Sequence, residues 1–220
     1  KDSFWVAVAN GIVTEAERMG VNMTLYEAGG YENLPRQISQ FDDCMAGDFD
    51  AIIVGAISEA GLSQKFDEAL EAGIPVISTV NPVAEANLTA KMYVEFDTMG
   101  EQTGRYLLDA LDGDSAKAVT FPGPAGSGWA EAFNEGFKRA LEGSSVEILD
   151  EKFGDSGVSV QLELIQDALQ TYPDMDVIWG TAPTAEAAIG AVAEIGRMGE
   201  IMILSSYENQ AMLDAMNRGD

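Results

Sequence analysis

Short apolar runs alternate along the chain with longer stretches in which apolar residues recur every three or four positions. The runs at 50–55 and 73–78 are almost continuously apolar, which is typical of strands buried on both faces of a sheet. Between Trp5 and Met19 apolar residues recur at helical spacing, and Gly20 predicts the end of that helix. The predicted strands are 21–28, 50–55, 73–78, 92–96, 116–121, 146–153, 176–179 and 201–205. The predicted helices are 5–19, 33–46, 62–72, 99–111, 129–141, 160–171, 185–197 and 210–216.

Strand and helix alternate throughout, and this order predicts an α/β fold of parallel sheets flanked by helices. The pattern breaks near 97–100, which divides the chain into halves of similar size. We therefore expect a two-lobed protein, with an N-terminal lobe at 1–97 and a C-terminal lobe at 98–220.

Acidic residues far outnumber basic ones, since 37 Asp and Glu against 12 Lys and Arg give a formal net charge of −25. Such a chain lacks the clustered cations that bind nucleic acid or an anionic membrane surface. No apolar run approaches the roughly 18 residues that a membrane-spanning helix needs. We therefore expect no nucleic acid partner and no direct membrane insertion. The acidity itself has two interpretations: solubility, as in a salty habitat, or attraction of a cationic or dipolar ligand.

The residue types of common catalytic sites are missing or isolated. The chain holds no histidine, which removes the Ser-His-Asp and Cys-His systems and the commonest zinc ligand. Its one cysteine, Cys44, lies at helical spacing and is expected to be a buried structural thiol. The glycine-rich turn at 123–128 has neither the spacing of a dinucleotide fingerprint nor the lysine of a Walker A loop. We expect no catalytic residue, no metal site and no cofactor, although composition leaves paired carboxylates open.

Five aromatic residues lie at predicted strand ends or strand-to-helix junctions, whereas Phe66 and Phe137 lie inside helical stripes, as core residues do. The five are Trp5, Tyr31, Phe96, Trp129 and Tyr207. Aromatic rings gathered at one edge of a sheet form cages for methylated ammonium groups, through ring quadrupoles and methyl contacts. Surface and hinge packing also use aromatic rings, so both interpretations remain open.

Two carboxylates, Asp97 and Glu131, are predicted near these rings at the junction of the lobes. For Glu131 the alternative role is a negative charge that complements the dipole at a helix N-terminus. The candidate ligand-binding set is therefore Trp5, Tyr31, Phe96, Asp97, Trp129, Glu131 and Tyr207.

Two groups of segments carry a family resemblance. The first group is Phe4-Trp5-Val6, Ile74-Pro75-Val76-Ile77, Gly136-Phe137 and Ile189-Gly190-Ala191. These segments resemble type I periplasmic binding proteins of the ribose-binding kind. The second, more specific group is Tyr26-Glu27-Ala28-Gly29-Gly30-Tyr31, Thr79-Val80-Asn81, Gly104-Arg105-Tyr106-Leu107 and Glu186-Ala187-Ala188-Ile189. It resembles the TorT family, the periplasmic trimethylamine N-oxide-binding partners of the sensor kinase TorS.

The resemblance implies a periplasmic receptor that binds a small methylated amine, such as trimethylamine N-oxide, in a cleft between two lobes. It implies that Trp5, Tyr31 and Tyr207 line the pocket, with Phe96 beside them. The implied partner is the periplasmic domain of a sensor histidine kinase. The alternative is a solute-binding component that delivers a small solute to an ABC permease.

The pattern by which sugar binders hold hydroxyl groups is absent. After the Ile-Pro-Val strand those proteins carry Asp-Arg, where this chain has Val80 and Asn81. Glu131 is found where they carry an arginine, and Tyr207 where they carry an aspartate. A pocket without these partners rejects sugars, because each unpaired polar group costs about 1–3 kcal/mol.

The resemblance further implies a strand before Phe4 and a segment after Asp220 that returns to the first lobe. On this basis we expect the chain to be part of a longer protein.

Overall fold

The computed structural model describes residues 3–84 and 87–219 and divides the chain into two compact units. Ser3–Val94 and Gly126–Trp129 belong to the first unit. Glu95–Ala125 and residues 130–219 belong to the second. The lobe boundaries at 1–97 and 98–220 stay a prediction.

The first unit is built on a parallel sheet whose strands follow the order β1-β2-β3 among the described residues. Its elements are α1 (Ser3–Met19), α2 (Leu34–Ala46), β1 (Ile52–Val54), α3 (Ser63–Glu71), β2 (Val76–Val80) and β3 (Ala90–Tyr93). Ile52 is in register with Val76, and Ile77 with Ala90. The core of this unit includes Phe41, Ile52, Val54, Leu62, Phe66 and Val76. The carboxyl ends of β1 and β2 therefore lie side by side at one edge of the sheet.

The predicted strand at 21–28 does not form. Its apolar positions are exposed, with Val21 at 56%, Met23 at 40% and Leu25 at 57%. A strand needs a hydrogen-bonded neighbour, and among the described strands β1 pairs only with β2. The sequence pattern shows which residues suit a strand, but it does not show whether a neighbouring strand is available to pair with them.

The second unit contains a parallel sheet in the order β5-β4-β6-β7, again among the described residues. Its elements are α4 (Phe96–Leu111), β4 (Ala116–Phe121), α5 (Trp129–Leu141, of which Trp129 belongs to the first unit), β5 (Val146–Glu151), α6 (Val158–Thr171), β6 (Val177–Gly180), α7 (Ala182–Glu194), β7 (Met202–Ser205) and α8 (Gln210–Arg218). The predicted fold class, α/β with parallel sheets flanked by helices, is confirmed.

A second prediction needs correction at Phe96, which begins α4 rather than ending a strand. The β2–β3 ladder stops where Val80 faces Tyr93. Helix α4 then starts at once, because the Glu95 carbonyl accepts the Met99 N–H at 3.1 Å. Asp97 in the first turn favours this start, since a negative charge complements the helix dipole.

The fully buried Trp179 lies at the centre of the second unit. Its ring centroid is 4.2 Å from that of Phe133 and 4.2 Å from that of Phe137. Its indole Nε1 donates to Thr103 Oγ1 of α4 at 2.8 Å, so the buried N–H is satisfied. One tryptophan thus joins β6, α4 and α5.

Cys44 is only partly buried, rather than fully buried as expected. It lies on α2 at the margin of the first unit's core. Burial, with the nearby Asp43 charge, raises the pKa of its thiol. In the part of the chain that the structure describes, no helix combines the length and the apolar character needed to cross a membrane.

Candidate functional site

The loops that follow β1 and β2 form the candidate site of the first unit. Residues after parallel strands meet at one sheet edge, where open α/β sheets bind ligands. Gly55 follows β1 directly, and Asn81 follows β2 directly. The side chains of Trp5 and Tyr31 lie at this edge of the sheet, Trp5 against Gly55 and Tyr31 against Asn81.

Tyr31 is the centre of a hydrogen-bonded group of three side chains. Trp5 Nε1 donates to the Tyr31 hydroxyl at 3.3 Å. Asn81 Nδ2 donates to the same hydroxyl at 3.1 Å, and also to the Ala56 carbonyl at 2.7 Å. Asn81 is 1% exposed, so its amide is held inside the unit.

Trp129 adds a third ring to this group. Its ring centroid is 5.9 Å from that of Tyr31, with 56° between the planes. Trp129 is 5% exposed and belongs to the first unit with the glycine-rich turn that precedes it. The Gly126 carbonyl accepts the Glu59 N–H at 3.3 Å, which attaches this turn to the loop after β1.

The ring of Trp5 lies against the backbone of Gly55. A Cβ atom at Gly55 would be 2.5 Å from the Trp5 Cη2 and Cζ3 atoms. Only glycine lets the indole approach the chain so closely. The absence of a side chain at Gly55 therefore determines where Trp5 lies.

Gln37 of α2 fixes the same loop from its other side. Its Nε2 donates to the Gly55 carbonyl at 2.9 Å, and its Oε1 accepts the Ile57 N–H at 3.0 Å. Both ends of one amide thus hold the backbone on which Trp5 rests.

The chain turns sharply at Val80, the last residue of β2, just before Asn81. The Asn81 N–H donates to the Thr79 carbonyl at 2.9 Å, and Val80 between them has a φ of 69°. These features define the rarer, strained form of the γ-turn. A β-branched residue with positive φ is an outlier, and such outliers persist where the surroundings enforce them.

The other four predicted residues lie in the second unit, on three elements: Phe96 and Asp97 on α4, Glu131 in the first turn of α5, and Tyr207 after β7. Asp97 accepts a hydrogen bond from Arg139 at 3.3 Å. The Tyr207 carbonyl accepts the Ser205 hydroxyl at 2.7 Å. The contacts described above bring together three of the seven predicted residues, Trp5, Tyr31 and Trp129; that all seven bind ligand stays a prediction.

A charged cluster accompanies Asp97 on the surface of the second unit. Arg139 also donates to Glu101 at 2.9 Å, and Arg105 contacts the same carboxylate. These two guanidinium groups, Arg139 first, hold the pKa of Glu101 below its ordinary 4.5. A groove of about 450 Å³ lies nearby, but none of the seven predicted residues lines it. The described residues include no group of three acidic or cysteine side chains placed to hold a metal ion.

The predicted set of seven does not include Asn81, Gly55 or Gln37, although Asn81 was noted at the position where sugar binders carry Asp-Arg. The available signal was position, because Asn81 and Gly55 come directly after buried strands.

Comparison with known proteins adds to this geometry. A family model described as a periplasmic binding protein domain matches residues 1–220. The periplasmic protein TorT of Escherichia coli K12 is 33% identical over 221 residues, which cover 100% of this chain and 63% of TorT. The chain therefore spans less than two thirds of that relative's length.

Two solved structures are similar along the whole chain. An ABC transporter solute binding protein from Bradyrhizobium sp. BTAi1, with bound bis-tris, is 43% identical with a TM-score of 0.77, covering 100% of this chain and 66% of that one. TorT in complex with the TorS sensor domain, in the presence of trimethylamine N-oxide, is 28% identical with a TM-score of 0.84. That match covers 100% of this chain and 74% of the other.

Side chains gathered beyond the ends of parallel strands lie where open α/β sheets bind ligands, and the matching family model describes a binding protein. The chain belongs to the periplasmic binding protein family and to the type I superfamily of these proteins. The resemblance to the TorT family and the periplasmic localisation are thereby confirmed. The relatives named above are binding proteins rather than enzymes.

Proposed function

We propose that this protein is a periplasmic receptor for a small methylated amine, such as trimethylamine N-oxide, and that it signals to a membrane sensor histidine kinase. The observation that carries the proposal is the group formed by Trp5, Tyr31 and Trp129 at the strand ends. Aromatic faces attract methyl groups on a positive nitrogen. The TorT relative forms a complex with the TorS sensor domain in the presence of trimethylamine N-oxide, which supports the same assignment.

The receptor carries out no reaction on its ligand. Binding proteins act by stabilising one conformation, to the extent of the ligand's differential affinity for it. After prolonged incubation, we expect the proton NMR spectrum of trimethylamine N-oxide to be unchanged. The appearance of trimethylamine or another product would contradict this part of the proposal.

A second candidate is the solute-binding component of an ABC importer. It is favoured by the 43% identity to a solute binding protein of that kind. That relative holds bis-tris, which is a tertiary amine, so amine recognition is compatible with either output.

Isothermal calorimetry on the intact protein tests the ligand. Trimethylamine N-oxide, tetramethylammonium and ribose are titrated in phosphate buffer, because an amine buffer would compete for the site. We expect a dissociation constant in the micromolar range for trimethylamine N-oxide, or about −8 kcal/mol, and no heat with ribose. Binding of ribose without binding of any methylated amine would sink the proposal.

The partner is tested separately. We expect the receptor to co-purify with the periplasmic domain of a sensor kinase encoded near its gene. The importer would be favoured instead if a reconstituted ABC permease encoded near the gene hydrolysed ATP in a ligand-dependent way and no sensor kinase co-purified with the receptor.

A further inference from the structure

Hydroxyl groups tie the loop that follows β7 to the first turns of α4. Ser206 comes directly after β7, and its Oγ lies 3.2 Å from Thr103 Oγ1 and 3.4 Å from the Met99 carbonyl oxygen. Thr103 lies on α4, 103 positions earlier in the chain. All three residues belong to the second unit.

Thr103 is the junction of this network, because its hydroxyl oxygen has four hydrogen-bonding neighbours. The indole N–H of Trp179 can only donate, so Thr103 Oγ1 accepts it at 2.8 Å. The carbonyl oxygens of Gly100 and Met99, at 2.9 Å and 3.3 Å, can only accept. The single Thr103 proton therefore points at one of these carbonyls or at Ser206.

The Ser206 hydroxyl is bonded to α4 in either arrangement. If the Thr103 proton points at a carbonyl of α4, Ser206 donates to Thr103. If it points at Ser206, Ser206 donates in turn to the Met99 carbonyl. Both arrangements give a continuous chain of hydrogen bonds from the buried Trp179 to the loop after β7.

Tyr207 is the next residue of this loop, and its backbone is also held. The Ser205 hydroxyl donates to the Tyr207 carbonyl at 2.7 Å. Ser205 itself ends β7, in register with Gly180 of β6. Two consecutive serines therefore fix the main chain from which the Tyr207 side chain extends.

These contacts bring candidate ligand-binding residues on two elements toward each other. Phe96 and Asp97 lie in the first turn of α4, whose Met99 carbonyl meets Ser206, the neighbour of Tyr207. The loop also lies beyond the carboxyl end of a parallel strand, where open α/β sheets bind ligands. The position of Tyr207 thus depends on how firmly this loop is held to α4.

We propose that Thr103 is a positioning residue of the ligand site, which holds the loop after β7 through Ser206 so that the Tyr207 ring is in place for the ligand. This inference rests on the proposed function. It adds to the aromatic group of the first unit a ring of the second unit whose backbone is anchored to Trp179 in the core.

Calorimetry on the intact protein tests the inference, with trimethylamine N-oxide or tetramethylammonium as the probe, whichever binds more tightly. Ser206→Ala removes the hydroxyl of the loop and leaves the bond between Trp179 and Thr103 in place. Thr103→Val removes the junction at nearly constant volume. We expect each to weaken binding by about 5-fold or more, which is the worth of one hydrogen bond. Thr103→Ser keeps the hydroxyl and should bind within about 2-fold of the wild type.

The matched control is Ser145→Ala, the same substitution at the amino end of β5. Ser145 Oγ donates to the Asp114 carbonyl at 2.9 Å, so this variant also loses one hydrogen bond to the backbone. We expect its affinity to stay within about 2-fold of the wild type. Thermal unfolding shows whether each variant is folded. Thr103→Val leaves the buried indole N–H of Trp179 without its partner, and if it fails to fold, Ser206→Ala decides the question.

A double-mutant cycle tests whether Ser206 acts through Tyr207. Tyr207→Ala should itself weaken binding by about 10-fold. In that background, Ser206→Ala should change the affinity by less than about 2-fold, because the ring that it positions is gone. A purely structural role would give the same loss in both backgrounds.

The outcomes separate this inference from the receptor function. A loss in Ser206→Ala that disappears in the Tyr207→Ala background, with Thr103→Ser close to the wild type, supports the inference. Wild-type affinity in Ser206→Ala or Tyr207→Ala, an equal loss in the Ser145→Ala control, or equal losses in both backgrounds overturn it and leave the receptor function intact. A wild-type protein that binds neither probe overturns the receptor function and this inference together.

Discussion

At the scale of single residues, the candidate site depends on the absence of a side chain at Gly55. Gly55 has no Cβ, and the ring of Trp5 occupies the space that a Cβ would need. This contact links the loop after β1 to the first helix. The position of the indole is thus sensitive to the smallest possible substitution.

Gly55→Ala is expected to displace the Trp5 ring, because the added Cβ would be 2.5 Å from two of its carbons. Overpacking of this kind costs about 1–3 kcal/mol of folding stability. The ligand affinity should fall by at least about 10-fold if the indole is part of the binding surface. Denaturant unfolding and calorimetry measure the two effects.

Gly11→Ala provides the control on the same helix as Trp5. Among the residues that the structure describes, a Cβ at Gly11 meets nothing within 4 Å, so alanine should stabilise the helix by about 0.5–1 kcal/mol and leave binding unchanged. If Gly55→Ala behaved like this control, the role assigned to the Trp5–Gly55 contact would be wrong.

Sequence alone predicts residue environments better than residue partners. Phe66 and Phe137 were expected in the core and are fully buried. The Asn81–Tyr31 bond joins residues 50 positions apart. Local periodicity gives no information about residues so far apart in sequence, so only the three-dimensional structure shows the pairing.

At the scale of elements, α4 and α5 cross with their backbones in contact. A Cβ at Gly100 would be 2.0 Å from the Phe133 carbonyl oxygen, and one at Gly136 would be 1.9 Å from the Asp97 carbonyl oxygen. Two helices can approach this closely only where both lack side chains. The crossing also positions Asp97, one of the predicted site residues.

Gly136→Ala should therefore destabilise the protein although alanine is the better helix former. We expect a loss of about 1–3 kcal/mol or more, since the helices must move apart. Gly190→Ala on α7 is the matched control, because none of the described residues has an atom within 4 Å of its Cβ position. A stabilising Gly136→Ala would show that the two helices are not in backbone contact.

The Glu101 cluster joins the same two helices through charge. Since Arg139 and Arg105 lower the pKa of Glu101, its carboxylate contributes stability above its ordinary 4.5 and loses that contribution as the pH falls through the lowered value. Glu101→Gln should be less stable than the wild type near neutral pH, with the difference shrinking in acid. A difference in unfolding midpoint that is constant with pH would refute this.

Helix ends were easier to predict than strands. Gly20 was expected to end α1, and it does so with a φ of 70° while the Val21 N–H donates to the Ala16 carbonyl at 2.9 Å. That signal is local. The strand expected at 21–28 depends on a neighbour elsewhere in the fold, and its alternating apolar pattern could not reveal whether one is present.

At the scale of the whole molecule, charge is the dominant property. With 37 acidic and 12 basic residues, the folded chain repels itself. The surface ion pairs are too exposed to offset this by much.

We expect the unfolding temperature to rise with sodium chloride from about 20 mM to about 500 mM, because the Debye length shrinks from roughly 20 Å to a few ångströms. Sucrose at matched osmolality separates this screening from a general solute effect. A fall in unfolding temperature over this range would mean that ion pairs outweigh repulsion.

Ligand affinity should be constant across neutral pH. The chain has no histidine, the side chain whose ordinary pKa lies near neutrality, and the pKa of the Cys44 thiol is raised. Calorimetry between about pH 6 and about pH 8.5 should show less than about 2-fold variation. A sigmoidal step within this range would contradict this expectation, because it would show that a group in the site titrates near neutral pH.

Two N–H groups, of Trp5 and Asn81, hold the Tyr31 oxygen in one position. This fixed geometry matters for the proposed ligand, because trimethylamine N-oxide has only five non-hydrogen atoms. The best small ligands gain about −1.5 kcal/mol per such atom, a ceiling that corresponds to low-micromolar affinity. A micromolar receptor for so small a molecule binds close to that limit. The receptor reaches the limit only if its polar groups need no rearrangement on binding.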